Sequence, residues 1–224
     1  MSSDLKQYDN IFNKNDGVVE DFSSCCTALL LFPTKALAQD QLSKLLLICK
    51  SHPLLEQLIR PGVITGDTPN PQRSSIARHC NIILSNPDTL HAAILPQWKG
   101  IYKGLLAQLK FVVVDELHIY EGTFGAHVSL VLSRLYRVCC IAKYTSTATP
   151  SQQKTLTTLP IFIGCSATIC HPEEHFRLLC PIPSEHSVRV LTQEEDGLPC
   201  GAKHFFLKST AFGQYVKTLH EITC

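Results

Sequence analysis

The chain has 224 residues, which is long enough for one large α/β domain with its own hydrophobic core. Its 20 basic and 19 acidic residues nearly balance, so bulk charge indicates neither a nucleic-acid nor a membrane partner. The 11 cysteines include no C-x-x-C pair, and we recognise neither a signal peptide nor an apolar run of membrane-spanning length, so we expect a reduced, intracellular protein with no membrane partner.

Short apolar runs alternate with amphipathic segments along the chain. The apolar runs predict strands, which we place at residues 28–32, 63–65, 81–85, 111–115, 161–165 and 187–191. Apolar spacings of three and four, together with a helix-start signal at Asn86-Pro87, predict helices, which we place at residues 36–49, 87–94, 124–139 and 172–179. Because strands alternate with helices, we predict a parallel sheet flanked by helices, with right-handed crossovers.

The sequence outside these elements is polar or weakly patterned. We expect a poorly ordered leader over residues 1–27, one domain over residues 28–208 and a C-terminal tail over residues 209–224. The Thr/Ser/Gln-rich residues 143–159 predict a surface loop. Free cysteine on an apolar face behaves as a small hydrophobe, and we expect this of three cysteines, namely Cys49, Cys139 and Cys165.

The run from Phe111 to Val114 is apolar throughout and ends abruptly in Asp115 and Glu116. A continuous apolar run is typical of a parallel strand covered on both faces. The two carboxylates then lie at the carboxyl end of the strand, where open α/β sheets bind their ligands. Such a pair suits hydrolysis of a nucleoside triphosphate, with one carboxylate near Mg²⁺ and the other taking a proton from the attacking water. A strand that ends in a charged turn is the plain alternative.

Polar groups follow five of the predicted strands. They are Pro33-Thr34-Lys35, Gly66-Asp67-Thr68, Asn86-Pro87-Asp88, Asp115-Glu116 and Ser166-Ala167-Thr168. Any one of these is unremarkable, because strands end in turns and turns are polar. In a parallel sheet, however, all five would lie on one edge, and five in this order are difficult to attribute to turn chemistry alone.

This series resembles the first RecA-like domain of superfamily 2 DEAD/DEAH-box helicases. Residues 33–39 resemble motif Ia, residues 66–69 motif Ib, residues 115–118 a DEAH-type Walker B box and residues 166–168 motif III. Three further strings are similar to the Hrq/MrfA-type DNA-repair helicases, at residues 120–128, 166–175 and 196–205. The resemblance covers residues 28–208 and implies a P-loop NTPase fold with ATP and Mg²⁺ as cofactors. It also implies single-stranded or forked DNA as partner, and a nuclear or nucleoid location.

The resemblance also implies roles for individual residues. Asp115 would hold Mg²⁺ through water and Glu116 would be the general base. His118 and the residues Ser166, Ala167 and Thr168 would couple the state of the nucleotide to the nucleic acid. The nucleic-acid path would be lined by Pro33, Thr34, Lys35, Gly66, Asp67, Thr68, Asn86, Pro87 and Asp88. For Lys35, a solvated lysine in the first turn of a helix is an equal alternative to a phosphate contact.

One part of the family pattern is missing from the sequence. A P-loop, G-x-x-x-x-G-K-[ST], should precede residue 33, but the chain has no Gly-Lys dipeptide, and Gly17 is the one glycine before residue 28. We also recognise no second RecA-like domain in these 224 residues. We therefore expect an incomplete first motor domain, whether as a fragment, a mis-spliced or mis-predicted product, or a degenerate copy. The missing P-loop strand should leave a gap between the strands at 161–165 and 187–191, unless the leader fills it.

Two alternatives remain at this level. The chain is either part of an ATP-dependent DNA helicase or an inactive module, derived from a helicase, that binds nucleic acid or protein without turnover. Residues 171–175 also match the zinc-protease pattern H-x-x-E-H, but this short pattern often occurs by chance and the helicase resemblance already accounts for the string.

Overall fold

The computed structural model describes residues 27–146, 159–192 and 195, and the backbone of two short strands near the C-terminus. The chain divides into two compact units, Met1–Ser187 and Val188–Cys224. The predicted domain over residues 28–208 spans this division, and its bounds stay a prediction. In the second unit, β6 (His204–Phe205) pairs antiparallel with β7 (His220–Glu221). The predicted leader, apart from Thr27, and most of the predicted tail lie outside the described residues.

The first unit is built on a parallel five-stranded sheet with the order β2-β3-β1-β4-β5. Its strands are β1 (Thr27–Leu31), β2 (Pro61–Val63), β3 (Ile82–Ser85), β4 (Leu109–Val114) and β5 (Ile161–Gly164). Their last residues are side by side, because Leu31 pairs with both Ser85 and Val114, and Val114 pairs with Gly164. The sheet confirms the predicted RecA-like parallel architecture, and all five predicted strand ends lie on one edge.

Helices connect the strands. They are α1 (Lys35–Ser51), α2 (Pro53–Leu58), α3 (Asn70–His79), α4 (Pro87–Thr89), α5 (Lys103–Gln108), α6 (Gly122–Ser146) and α7 (Pro172–Leu179). The helix that starts at Pro87 continues as a π-helical turn, Leu90–Ile94, as the Asn86-Pro87 signal predicts. Helices α2, α3 and α5 were not predicted, and α6 continues to Ser146, so the predicted loop over residues 143–159 begins too early.

The core lies on both faces of the sheet because successive strand residues point to opposite sides. Leu29 and Leu31 of β1 belong to the larger cluster, with Val112 and Val114 of β4 and the buried side of α6. On the other side, Leu30 packs against a smaller cluster that contains Phe32, Ala38, Leu42, Val63 and Leu84. The central strands are thus covered by helices on both faces.

Strand β5 differs from the prediction of a buried strand. Ile161 and Ile163 are 59% and 41% exposed, and the following Cys165 is exposed rather than packed on an apolar face. The reason is that β5 is the last strand of the described sheet and has β4 as its partner there. The strand predicted at residues 187–191 is also wrong, since these residues are described without strand structure. The expected gap between the strands at 161–165 and 187–191 therefore does not arise, because the second of these strands is not formed. Among the described residues, one edge of β5 pairs with no other strand.

Helix α6 is long and apolar enough to cross a membrane by length and composition, contrary to the sequence prediction of no such run. One side of it, with Val128, Leu132 and Leu135, is fully buried in the core. Core helices of soluble proteins meet the same criterion, so this helix by itself is weak evidence for a membrane span.

Candidate functional site

The two carboxylates that follow β4 lie in a sharp turn, residues 115–118, which we call the carboxylate turn. The amide of Asp115 still donates to the carbonyl of Leu31 at 2.9 Å, so the chain leaves the sheet only after this residue. Glu116 has φ = 55°, the one positive φ of a non-glycine residue among those described. A left-handed backbone costs a residue with a side chain about 1–2 kcal/mol. Such strain persists only where surrounding contacts fix it, and it is frequent at functional sites.

The contacts that fix the carboxylate turn come from the end of β5. The amide of Leu117 donates to the carbonyl of Cys165 at 2.9 Å, and the amide of His118 donates to Ser166 Oγ at 3.2 Å. His118 Nδ1 lies 3.4 Å from both Ser166 Oγ and Glu116 Oε2. One imidazole thus lies between the glutamate of the turn and the serine of the neighbouring strand. This arrangement joins three residues for which the resemblance to helicases implies roles in catalysis and coupling.

Tyr120 is buried directly behind the carboxylate turn. Its side chain is 2% exposed, and its hydroxyl has no hydrogen-bond partner among the described residues. Burial, followed by the nearby carboxylates of Asp115 and Glu116, raises the pKa of Tyr120, so the phenol stays protonated. Gly125 makes this position possible, because a Cβ there would collide with the carbonyl of Tyr120. The ring of Tyr120 also stacks on Phe124, with centroids 5.5 Å apart.

The carboxylate turn has the chemistry of a weak magnesium site. Asp115 Oδ1 accepts a hydrogen bond from the amide of Glu116 at 3.0 Å. Both side chains are partly exposed. Mg²⁺ retains several water ligands and is commonly held by one or two carboxylates together with substrate phosphates, so these residues fit it. Among the described residues, no group of three or more His, Cys, Asp or Glu side chains is arranged to hold a metal ion.

The ends of β1 and β2 are joined by an ion pair. Lys35 Nζ lies 2.7 Å from Asp67 Oδ2, and both side chains are mostly exposed. The sequence suggests two roles for Lys35, a phosphate contact or a solvated lysine. Neither includes the ion pair with Asp67. Thr34 caps helix α1 by accepting from the amide of Leu37 at 3.2 Å.

The loop after β2 is held by Thr68 and Arg73. Thr68 Oγ1 accepts from the amide of Thr65 at 2.9 Å, while Arg73 Nη2 donates to the carbonyls of Thr65 and Gly66, at 3.1 Å each. Arg73 was missed in the sequence because it lies one turn into a helix that was not predicted. Its contacts fix the shape of the loop that carries Gly66 and Asp67.

The loop after β3 is a capped helix start. Asn86 Oδ1 accepts from the amide of Thr89 at 2.8 Å, Pro87 is buried, and Asp88 is exposed at the start of α4. Beyond β5, Ala167 and Thr168 are exposed and follow Ser166 on the same edge. All the site residues predicted from the sequence therefore lie at or near the carboxyl edge of one parallel sheet.

The parallel sheet, with its carboxylates at the end of a central strand and five polar strand ends on one edge, defines a RecA-like domain. The DEAD-box helicase Mss116 shares this fold, with a TM-score of 0.53 at 14% identity, covering 76% of this chain and 30% of that one. A model of DEAD/DEAH box helicases matches residues 14–174. The chain therefore belongs to the DEAD/DEAH box helicase family.

Among its relatives are ATP-dependent helicases. HRQ1 of Saccharomyces cerevisiae, an ATP-dependent helicase, is 38% identical over 179 residues, which are 80% of this chain and 15% of that protein. YprA of Bacillus subtilis, an uncharacterised ATP-dependent helicase, is 38% identical over 184 residues, or 80% and 21% of the two chains. The helicase MrfA, bound to DNA and AMPPNP, superimposes with a TM-score of 0.60 at 38% identity over 73% of this chain and 20% of that one. This chain thus spans about a fifth of these relatives, or less.

Proposed function

We propose that this chain is part of the first motor domain of an ATP-dependent DNA helicase, in which hydrolysis of ATP is coupled to movement along a DNA strand. The observation that carries the proposal is the contact of the carboxylate turn with the end of β5, where His118 lies between Glu116 and Ser166. Membership of the helicase family and similarity to MrfA, whose structure holds DNA and AMPPNP, support it. The protein would then act where DNA is, in the nucleus or nucleoid.

In this proposal the carboxylate turn carries the chemistry. Asp115 would hold Mg²⁺ through water, and Glu116 would accept a proton from the water that attacks the γ-phosphate. Bound Mg²⁺ would neutralise charge on the phosphate oxygens. The left-handed backbone of Glu116 directs the chain away from the sheet, while hydrogen bonds on both sides of this residue limit its freedom. Positioning of this kind is a large part of catalysis in phosphoryl transfer.

The coupling role is assigned to the residues that join β4 and β5. A movement of the Glu116 side chain would alter its contact with the imidazole of His118. Through that ring it would also alter the contact with Ser166. Ala167 and Thr168 continue this segment at the edge of the sheet. Communication through a series of polar contacts of this kind requires two arrangements of the contacts, one for each nucleotide state.

The nucleic-acid path is assigned to the ends of β1, β2 and β3. Helix N-termini and backbone N–H groups bind phosphate without net positive charge, so the balanced composition is no objection. The residues of this path are Pro33, Thr34, Lys35, Gly66, Asp67, Thr68, Asn86, Pro87 and Asp88. We propose single-stranded or forked DNA as the ligand, with a second RecA-like domain completing the cleft.

A second candidate function follows from the same sequence. The 224 residues contain no Gly-Lys dipeptide and so no phosphate-binding loop of the usual pattern. In isolation, the chain would then be a module that binds nucleic acid or protein without turnover. The two functions differ in whether Glu116 acts on ATP.

The experiment joins this chain to a phosphate-binding N-terminal segment and a second RecA-like domain taken from MrfA, and compares Glu116→Gln with the parent chimera. We expect nucleotide binding to be retained and turnover to fall by about 10²-fold or more, the usual contribution of a general base. Glu121→Gln, an exposed neighbour outside the carboxylate turn, serves as the control. Unchanged turnover in Glu116→Gln would remove this residue from the mechanism.

A further inference from the structure

His175 of helix α7 contacts the backbone of the carboxylate turn. It belongs neither to β4, which the turn follows, nor to the segment after β5, which contacts the turn. Its Nε2 lies 2.9 Å from the carbonyl oxygen of Leu117, which is 58 residues away in the sequence. A carbonyl oxygen only accepts, so the Nε2 nitrogen must carry the proton in this contact. The string that contains His175 matches the zinc-protease pattern in sequence, and this bond gives the residue a different role.

The packing around this bond brings α7 against the end of β5. Gly164 ends β5, and a Cβ there would collide with Leu117 and would lie 2.9 Å from the ring of Phe176. The absence of a side chain therefore lets the carboxylate turn and α7 meet directly at the end of the strand. Ser129 Oγ of α6 donates to the carbonyl of Leu178 at 2.9 Å, and Leu179 is buried, so α7 is itself attached to the core.

Both backbone polar groups of Leu117, the amide and the carbonyl, are therefore hydrogen-bonded to other parts of the fold. Its amide donates to the carbonyl of Cys165, and its carbonyl accepts from His175. This residue directly follows the strained Glu116. The two bonds come from different parts of the fold, Cys165 just after β5 and helix α7, and they add to the bonds that the amide of His118 makes to Ser166 Oγ and the amide of Tyr120 makes to the carbonyl of Leu117.

We propose that His175 is a positioning residue that fixes the carboxylate turn through the carbonyl of Leu117. It does not touch the reacting groups and acts on Asp115 and Glu116 through the backbone. The inference rests on the proposed function for the meaning of the turn, although the contact itself can be tested without any ATPase measurement.

The test uses the 224-residue chain and three variants. His175→Ala removes the donor, and His175→Gln restores a side-chain N–H at a similar reach. His171→Ala is the matched control, because His171 precedes the same helix and makes no capping hydrogen bond through its side chain. Amide hydrogen exchange at Leu117 and His118 is the first measurement. We expect about five- to tenfold faster exchange in His175→Ala, the effect of losing one hydrogen bond, with recovery in His175→Gln and no change in His171→Ala.

Manganese broadening of amide signals is the second measurement. In the unaltered chain, Mn²⁺ should broaden the signals around Asp115, and in His175→Ala the broadening should weaken and spread. No broadening near Asp115 in the unaltered chain would count against the proposed function and leave the exchange result intact. Unchanged exchange in His175→Ala, or no recovery in His175→Gln, would overturn the role of His175.

A third measurement needs no variant and covers the case in which His175→Ala fails to fold. In the unaltered chain, ¹⁵N signals of the His175 ring should show a protonated Nε2. A ring with its proton on Nδ1 alone would overturn the proposal.

Discussion

Lys35 Nζ lies 2.7 Å from Asp67 Oδ2 and joins the ends of β1 and β2, two strands that β3 separates in the sheet. The side chains of the two residues are 62% and 74% exposed, so solvent screens the pair and it contributes little to stability, roughly 1 kcal/mol at most. In the proposed function the pair matters for DNA binding, because it occupies the lysine that the proposal assigns to a phosphate contact. Lys35 and Asp67 are both assigned to the proposed DNA path.

Replacement of Asp67 by Asn should therefore strengthen binding of single-stranded DNA by the chain. It removes one negative charge and frees Lys35, which adds about one phosphate contact and steepens the salt dependence by about 0.7 in the log–log slope. Lys35→Ala should weaken binding and make the slope shallower. Fluorescence anisotropy with labelled oligonucleotides at several salt concentrations measures both effects.

Asp40→Asn is the matched control, because Asp40 forms a similar exposed pair with Lys44 at 2.8 Å, four residues along α1. Its affinity for DNA should change much less than that of Asp67→Asn. Weaker binding by Asp67→Asn would mean that the Asp67 carboxylate itself contacts the DNA, and would contradict the prediction.

Gly164→Ala should destabilise the protein, because the added methyl group has no space between Leu117 and Phe176. We expect a loss of about 1–3 kcal/mol in the free energy of unfolding, the usual range for overpacking. Urea denaturation monitored by circular dichroism measures it. Gly104→Ala in α5 is the control, since nothing lies within 4 Å of its added Cβ, and alanine there should be neutral or stabilising. Equal stability of Gly164→Ala and the parent would show that α7 does not pack on the end of β5 as described.

Three buried thiols predict how stability depends on pH. Burial raises the pKa of Cys80, Cys139 and Cys180 to about 12, from an ordinary value of 9.0. Between these values the unfolded chain releases protons that the folded chain retains, so the free energy of unfolding falls as pH rises from about 9 to 12. Below pH 9 the thiols are protonated in both states and this contribution is complete.

Urea denaturation at pH 8 to 11 measures this fall in stability. Cys139→Ala should lower stability at pH 8 and make the fall with pH shallower. The same slope in Cys139→Ala and the parent chain would contradict the assignment of the effect to this thiol.

The sequence predicted much of this fold because its signals were local. Asn86 and Pro87 specify a helix start through their own backbone chemistry, and the structure has the predicted cap. The five strand-end motifs were predicted to lie on one edge of the sheet because parallel pairing aligns the ends of strands. Helix α7 was predicted at its observed bounds from Pro172 and the residues that follow.

Several of the failures concern contacts between residues that are separated in the sequence. The exposure of β5 depends on what lies beside it in the sheet, which the apolar run from Ile161 to Ile163 does not encode. Arg73 and His175 act on backbone carbonyls of other elements, and a carbonyl has no sequence signature. Short helices such as α2 and α3 have few turns and little periodicity, so they were missed.

The purified 224-residue chain should neither hydrolyse ATP nor unwind DNA at a useful rate. A P-loop supplies several charge-assisted hydrogen bonds to phosphate, each contributing roughly 1.5–3 kcal/mol. Without three of them, nucleotide binding weakens by about three to six powers of ten, at about 1.4 kcal/mol for each tenfold change. ATP that a complete motor binds at micromolar concentration would then bind at millimolar concentration or above.

In this chain, the loss of positioning of the γ-phosphate adds to the loss of nucleotide binding. In the proposed mechanism Glu116 would still orient a water, but no P-loop would hold the γ-phosphate in line with it, so the contribution of positioning is expected to disappear as well. Phosphate release from ATP should therefore stay at background, with or without single-stranded DNA, while weak, salt-sensitive DNA binding through the ends of β1, β2 and β3 persists. Release of labelled phosphate at millimolar ATP measures this, with Glu116→Gln as the control for contaminating ATPase. DNA-stimulated release that Glu116→Gln abolishes would contradict the prediction, and would mean that the chain holds phosphate by a structure other than a P-loop.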